Sequence, residues 1–222
     1  MRMNQTLAGL GTLGIITMVT ACGGQTETSD EPAEMAVEPM AQTVAGELEG
    51  AWADEAAGVS VFRGIAFATP PVGDLRWRPP AAVEPWDGTK LATEFGPACW
   101  QARNEEASPY SRGELARSED CLTLNVWSPA SVGQQLPVMV WFHGGGHSSG
   151  VGSATIFDGT AMAKKGVLMV TANYRLGPLG FLAHPALTAE SEHGSSGNYG
   201  ILDHLATLTW VRDNIAALGG DP

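Results

Sequence analysis

Seven residues, LPVMVWF from Leu136 to Phe142, carry no charge and run straight into three glycines. An apolar run of strand length, without alternation, is expected where a strand is covered on both faces, as in a parallel sheet. A second run of this kind, VLMVTANY, spans Val167 to Tyr174. Between them, Phe157 to Lys165 reads as a short helix that Gly166 stops. Upstream, Val59 to Ala68 and Cys121 to Pro129 read as strands, and the proline-rich TPPVGDLRWRPP between them as a surface loop. Downstream, Asn198 is placed to cap a helix whose Ile201, Leu202, Leu205, Leu208, Val211, Ile215 and Leu218 recur at steps of three and four. Gly219 and Gly220 end it, and Pro222 forbids its continuation. Buried strands alternating with helices imply an α/β fold with a largely parallel centre.

The glycines that follow the first run sit in WFHGGGHSSG, Trp141 to Gly150, which carries two signals. H-G-G-G can present backbone N–H groups to the oxyanion of a tetrahedral intermediate, each donor worth about 3 kcal/mol of barrier. Glycine suits this task because it lacks a Cβ that would block a close substrate. G-H-S-S-G is a formal match to the G-x-S-x-G pattern of serine nucleophiles. That pattern needs a strand, a strained turn at the serine and an immediate helix. Here the strand ends before Gly144, and Gly150 and Gly152 occupy the place where the helix would begin. Ser148 is therefore read as a loop residue. A phosphate loop is disfavoured, since the spacing and the lysine of G-x-x-x-x-G-K-[ST] are missing. A metal held by His143 and His147 is disfavoured too, because three glycines make a poor scaffold and no nearby carboxylate completes a set. His143 is expected to support the loop, and His184, His193 and His204 to be surface or structural.

The termini of this pattern carry a different message. Leu7 to Val19 is apolar, too short to span a bilayer and of the length of a signal-peptide core. It leads into V-T-A-C-G-G, which resembles a bacterial lipobox and makes Cys22 a candidate for lipidation. With Gly23 rather than aspartate next to it, outer-membrane sorting is favoured. Residues 1–22 are thus read as a lipoprotein-type signal peptide, 23–45 as a disordered acidic tether and 46–222 as the folded domain. No Lys or Arg lies between Arg2 and Arg63, and the tether has no aromatic residue. The net charge of −12 excludes nucleic acid as a natural partner, since the phosphates would repel the chain. Cys99 and Cys121 remain as an even pair that can form a disulfide in an oxidising compartment, worth roughly 3 kcal/mol.

Several stretches resemble the type B carboxylesterases, an α/β-hydrolase family that includes para-nitrobenzyl esterases and cholinesterases. They are FRGIAFATPPVGDLRWRPP, WDGTKLATEFGPACWQ, SEDCLTLNVWSP, LPVMVWFHGGGHSSG, FDGTAMAKKGVLMVTANYRLGPLGFL and GNYGILDHLATLTWVRDNIAALGGDP, in the family's order. SEDCLTLNVW is similar to one of the family's two signatures. The resemblance implies a serine esterase acting on small carboxylic esters by an acyl-enzyme mechanism, with no cofactor. It implies a Cys99–Cys121 disulfide, oxyanion donors at Gly145 and Gly146, and support from His143 and Gly144. His147 stands where the family usually has an aromatic residue, flanking the acyl pocket. It is expected either to alter substrate preference or to stack as an aromatic ring would. The family's nucleophile, acid and histidine would follow Pro222, so residues 1–222 are expected to be an N-terminal portion, inactive alone, with an exposed apolar strand edge prone to aggregation. A non-catalytic binding lipoprotein is the rival class.

Overall fold

The computed structural model describes residues 37–102, 108–113, 116–129 and 133–222. The expected signal peptide, Cys22 and the first part of the expected tether lie outside the described residues.

The described unit runs from Val37 to Pro222. Its strands are β1 (Met40–Gln42), β2 (Glu47–Glu49), β3 (Ala51–Asp54), β4 (Val59–Ala66), β5 (Thr89–Leu91), β6 (Ala98–Cys99), β7 (Arg117–Ser118), β8 (Thr123–Pro129), β9 (Val138–Phe142) and β10 (Leu168–Ala172). Its helices are α1 (Thr160–Ala163), α2 (Gly177–Phe181), α3 (Pro185–Glu190) and α4 (Tyr199–Asn214). Ordered structure begins earlier than the expected boundary at residue 46. β1 pairs antiparallel with β2 and buries Ala41, so the last residues of the expected tether belong to the fold. Their single apolar inward position was too weak a signal against the acidic composition around it.

The main sheet has the order β3-β4-β8-β10-β9. β9 and β10 are parallel, in register at Val140 and Val170, while the other three pairings are antiparallel. The largely parallel centre expected from the sequence is thus confined, among the described residues, to the one neighbouring pair joined by a long crossover, which contains α1. β8 and β10 are buried through the sheet's middle. On one side, Phe62, Leu124, Val126, Leu168 and Val170 meet Trp210, Ile215 and Leu218. On the other, Val59, Val61, Trp127 and Met169 meet Ala163 of α1. Two-sided burial therefore holds for β10. It fails for β9, which ends the sheet among the described residues and alternates, with Met139 42% and Trp141 40% exposed.

The helices also depart from expectation. The segment 157–165 divides into a 3-10 turn, Thr155–Phe157, and the short α1, with Gly166 at φ +81° closing it. Asn198 occupies the position before α4, but its side chain makes no capping bond. The expected apolar stripe is buried only at Val211 near the end of α4 and at Ile215 and Leu218 in the 3-10 turn Ile215–Leu218 that follows it, whereas Ile201, Leu205 and Leu208 are exposed. The buried face of the first turns carries Tyr199, Asp203 and Thr207. Asp203 faces inward because it meets Arg175, whose Nε and Nη2 donate to its carboxylate at 2.9 and 2.7 Å. The Arg175 backbone N–H adds a third bond at 3.0 Å. A buried charge of this kind is tolerated because it is paired and hydrogen-bonded. It fixes α4 against the chain leaving β10. Arg175 also donates from Nη1 to the Arg78 carbonyl, docking the proline-rich loop. Among the described residues no helix is long and apolar enough to cross a membrane.

Candidate active site

β9 delivers the chain to His143, and the loop from His143 to Ser153 turns back over the end of β10. His143 is 4% exposed, and its ring stacks on Tyr174 with centroids 4.5 Å apart. The Tyr174 hydroxyl donates to the His143 carbonyl at 2.9 Å. His143 Nδ1 lies 2.9 Å from the Gly144 carbonyl, an acceptor only, which assigns the proton to Nδ1. Burial pushes the His143 pKa below its ordinary value near 6.5, with the Gly144 carbonyl opposing the shift. His143 is thus a neutral, immobilised support under the first glycine.

The next residues turn sharply. Gly145 has φ +123°, and a Cβ there would lie 1.9 Å from the Ser149 carbonyl oxygen. Gly146 has φ +61° with open space around it. The Gly145 carbonyl accepts from the N–H groups of Ser148 and Ser149 at 3.1 and 3.2 Å and from the Ser148 hydroxyl at 3.0 Å. Ser148 therefore closes the turn, and among the described residues its hydroxyl bonds to the Gly145 carbonyl and to no base. The N–H groups of Gly145 and Gly146 find no acceptor among the described residues. Gly144 and Gly145 form part of the wall of a cavity of about 810 Å3, with His143, Trp141, Ser149 and Phe157. Trp141, exposed on the open side of β9, packs against Phe157 at 5.3 Å.

The downstream half of the loop is fastened from three sides. The Gln101 side chain receives the Gly150 N–H and donates to the Gly150 carbonyl, both at 2.8 Å. Asn173 accepts the Gly152 N–H at 2.8 Å and donates to the Pro97 carbonyl. Arg112 Nε donates to the Ser153 carbonyl at 2.6 Å. Gln101 lies two residues beyond Cys99, which is disulfide-bonded to Cys121. The strand pair β6 and β7 sits beside that link.

His147, a non-glycine residue at φ +59°, turns its ring onto Phe181, nearly coplanar at 4.5 Å, with an edge contact to Tyr174. Its carbonyl accepts the Gly177 N–H at 2.7 Å. Its ring does not line the cavity that Gly144 and Gly145 border. His204 is structural rather than surface. Its ring stacks on Phe142 at 4.1 Å and meets Tyr174 edge-on, and burial lowers its pKa. His184 accepts the Ala186 N–H at the start of α3. Among the described residues no group of three or more His, Cys, Asp or Glu side chains is placed to hold a metal ion.

Sequence reasoning thus located the loop but missed its fastenings: Gln101, Asn173, Tyr174 and the Arg175–Asp203 pair. A signal did exist for three of them. N-Y-R directly follows an apolar run, and polar residues in that position must find partners once buried. Nothing in the sequence around Gln101 marked it.

Residues 37–222 match the model of the carboxylesterase family. The chain is 54% identical over 181 residues to fumonisin B1 esterase of Sphingopyxis macrogoltabida, covering 81% of this chain and 32% of that protein. It is 46% identical over 167 residues to para-nitrobenzyl esterase of Bacillus subtilis, covering 74% of this chain and 33% of that one. Among solved structures, a para-nitrobenzyl esterase superposes with a TM-score of 0.74 at 40% identity, covering 84% of this chain and 37% of the other. A carboxylesterase of Geobacillus stearothermophilus gives 0.72 at 44% identity, covering 82% and 36%. The architecture is therefore the α/β-hydrolase fold, and the chain spans about a third of the length of the curated relatives it matches.

Proposed function

Because this chain belongs to the carboxylesterase family, we propose that the complete protein hydrolyses carboxylic esters through a serine acyl-enzyme. In this reading the N–H groups of Gly145 and Gly146 bind the oxyanion, and short-chain or aryl esters are its substrates. The nucleophile, its base and the orienting acid are supplied from beyond these 222 residues. The observation that carries the reading is the pair of successive glycine N–H groups without an acceptor, on a loop bordering a cavity of about 810 Å3. His143 and Gly144 set the direction of that pair, since His143 is held by Tyr174 at its carbonyl and by Gly144 at its ring. The stack of His147 on Phe181 supports the reading in which His147 serves as an aromatic ring would. The names of the relatives, esterases and hydrolases, agree on hydrolysis.

Export and lipid anchoring at Cys22 form part of the same proposal, supported by the apolar run before V-T-A-C and by the Cys99–Cys121 disulfide. The test of the activity is hydrolysis of 4-nitrophenyl acetate by the complete protein. Turnover abolished by a fluorophosphonate and indifferent to chelators is expected. Turnover lost to chelators, or absent in a folded sample, overturns the reading. The anchor is tested by labelled fatty acid, which enters the wild type and not Cys22→Ala.

A further inference from the structure

We propose that the cavity beside the glycine loop selects esters that carry a free carboxylate, which Arg117 receives. The inference rests on the ester-hydrolase reading and names the substrate class of that site.

Arg117 belongs to β7, paired with β6 at Ala98, and lines the same cavity as Gly144 and Gly145. It is the one charged residue among the described residues of that wall. Four aromatic rings, of Trp100, Tyr110, Trp141 and Phe157, share the wall with small residues. The chain carries 24 acidic and 12 basic residues, so a carboxylate partner is easily found. Arg76, Arg78, Arg175 and Arg212 each take one, Glu119, Glu190, Asp203 and Asp213 respectively. Among the described residues Arg63, Arg112 and Arg117 take none, and of these three only Arg117 lines the cavity. Its Nη1 donates to the Gln101 carbonyl at 3.0 Å, and its guanidinium lies 5.4 Å from the centre of the Trp100 ring. Those contacts fix the group, and its other N–H donors find no acceptor among the described residues, the geometry that suits a carboxylate.

The placement is coupled to the glycine loop. Gln101 takes the arginine on its carbonyl and grips Gly150 with its side chain, so one residue connects Arg117 to the loop. The adjacent Cys99–Cys121 disulfide braces that strand pair. A substrate whose ester carbonyl sits at the glycine N–H groups thus presents the remainder of its chain to a wall with four aromatic rings and one cation. A neutral ester gains from the aromatic rings alone. An ester with a carboxylate gains a charge-assisted bond as well.

The test compares monoethyl glutarate with ethyl valerate, which differ in the terminal carboxylate, using the complete protein at constant pH. The wild type is expected to prefer the half-ester in kcat/KM by about tenfold or more. Arg117→Met is expected to abolish that preference, read as the ratio of the two kcat/KM values, and Arg117→Lys to retain part of it. Glutarate binding by calorimetry reads the anion site without turnover, weaker in Arg117→Met than in wild type. Equal rates on the two esters in wild type, or a preference that survives Arg117→Met, overturns the inference while leaving the esterase reading intact. If neither these esters nor 4-nitrophenyl acetate is hydrolysed the esterase reading falls, and glutarate that fails to bind removes the anion site.

Discussion

The two halves of the glycine loop use their backbone N–H groups in opposite ways. Gly150 and Gly152 are glycines because neighbours leave no room. A Cβ at Gly150 would lie 2.2 Å from His143 Nδ1, and one at Gly152 would lie 2.9 Å from the Ala172 backbone. Their N–H groups are both bound, by Gln101 and Asn173. Gly145 is as crowded, with a Cβ 1.9 Å from the Ser149 carbonyl oxygen, and only around Gly146 is there open space, but the N–H groups of both find no acceptor among the described residues. A fastened half and a presenting half follow from this contrast. Backbone donors that stay fixed without internal partners are what an oxyanion requires, because they cost no reorganisation when charge develops.

Both halves hang from the chain leaving β10, where Asn173 holds one and Tyr174 the other, just before the buried Arg175–Asp203 pair. The largest effect is therefore expected at that pair. Asp203→Leu leaves Arg175 buried without its counter-charge and should destabilise the complete protein by about 4 kcal/mol, measured by denaturant unfolding. Gly150→Ala should cost about 3 kcal/mol, combining φ +120° with a clash against His143. If Gly150→Ala were as mild as a surface substitution, the fastened half would not be fastened. Gly146→Ala is the contrasting case. It meets no atom within 4 Å and keeps its N–H, so only the strain at φ +61° remains, about 1 kcal/mol. A cost equal to that of Gly150→Ala would erase the distinction between the halves.

The smallest effect is on pH. The pKa of His143 is lowered in the folded state by burial, so between that lowered value and the ordinary 6.5 only the unfolded chain binds the proton. Stability is then full above about pH 6.5 and declines as pH falls toward the lowered value. His204, shifted the same way by burial, adds to the decline. Thermal unfolding of wild type against His143→Gln over this range should show a shallower decline in the variant.

The sequence made the central strands and the loop legible for a physical reason. Long apolar runs and clustered glycines are local signals, and the burial of β10 and the turn after β9 require no knowledge of distant residues. What stayed hidden depended on partners far along the chain. β1, β2 and β5 are three residues each, too short for a periodic signal, and their inward residues Ala41 and Leu48 are set among acidic neighbours. The face of α4 was misread because Asp203 is buried by Arg175, 28 positions earlier, while Leu205 is 55% exposed. Gln101 reaches Gly150 across 49 residues, a contact that periodicity cannot register. Fold class and the position of the glycine loop were thus readable, and the fastenings that give the loop its shape were not.

The most direct measurement is a crystal structure of the complete protein inhibited with a phosphonate, whose tetrahedral oxygen stands in for the oxyanion. The account predicts that this oxygen lies about 2.7 to 3.1 Å from the backbone nitrogens of both Gly145 and Gly146, with His143 still beneath Gly144. A phosphonyl oxygen held by other donors, with the N–H groups of Gly145 and Gly146 facing water, would contradict it.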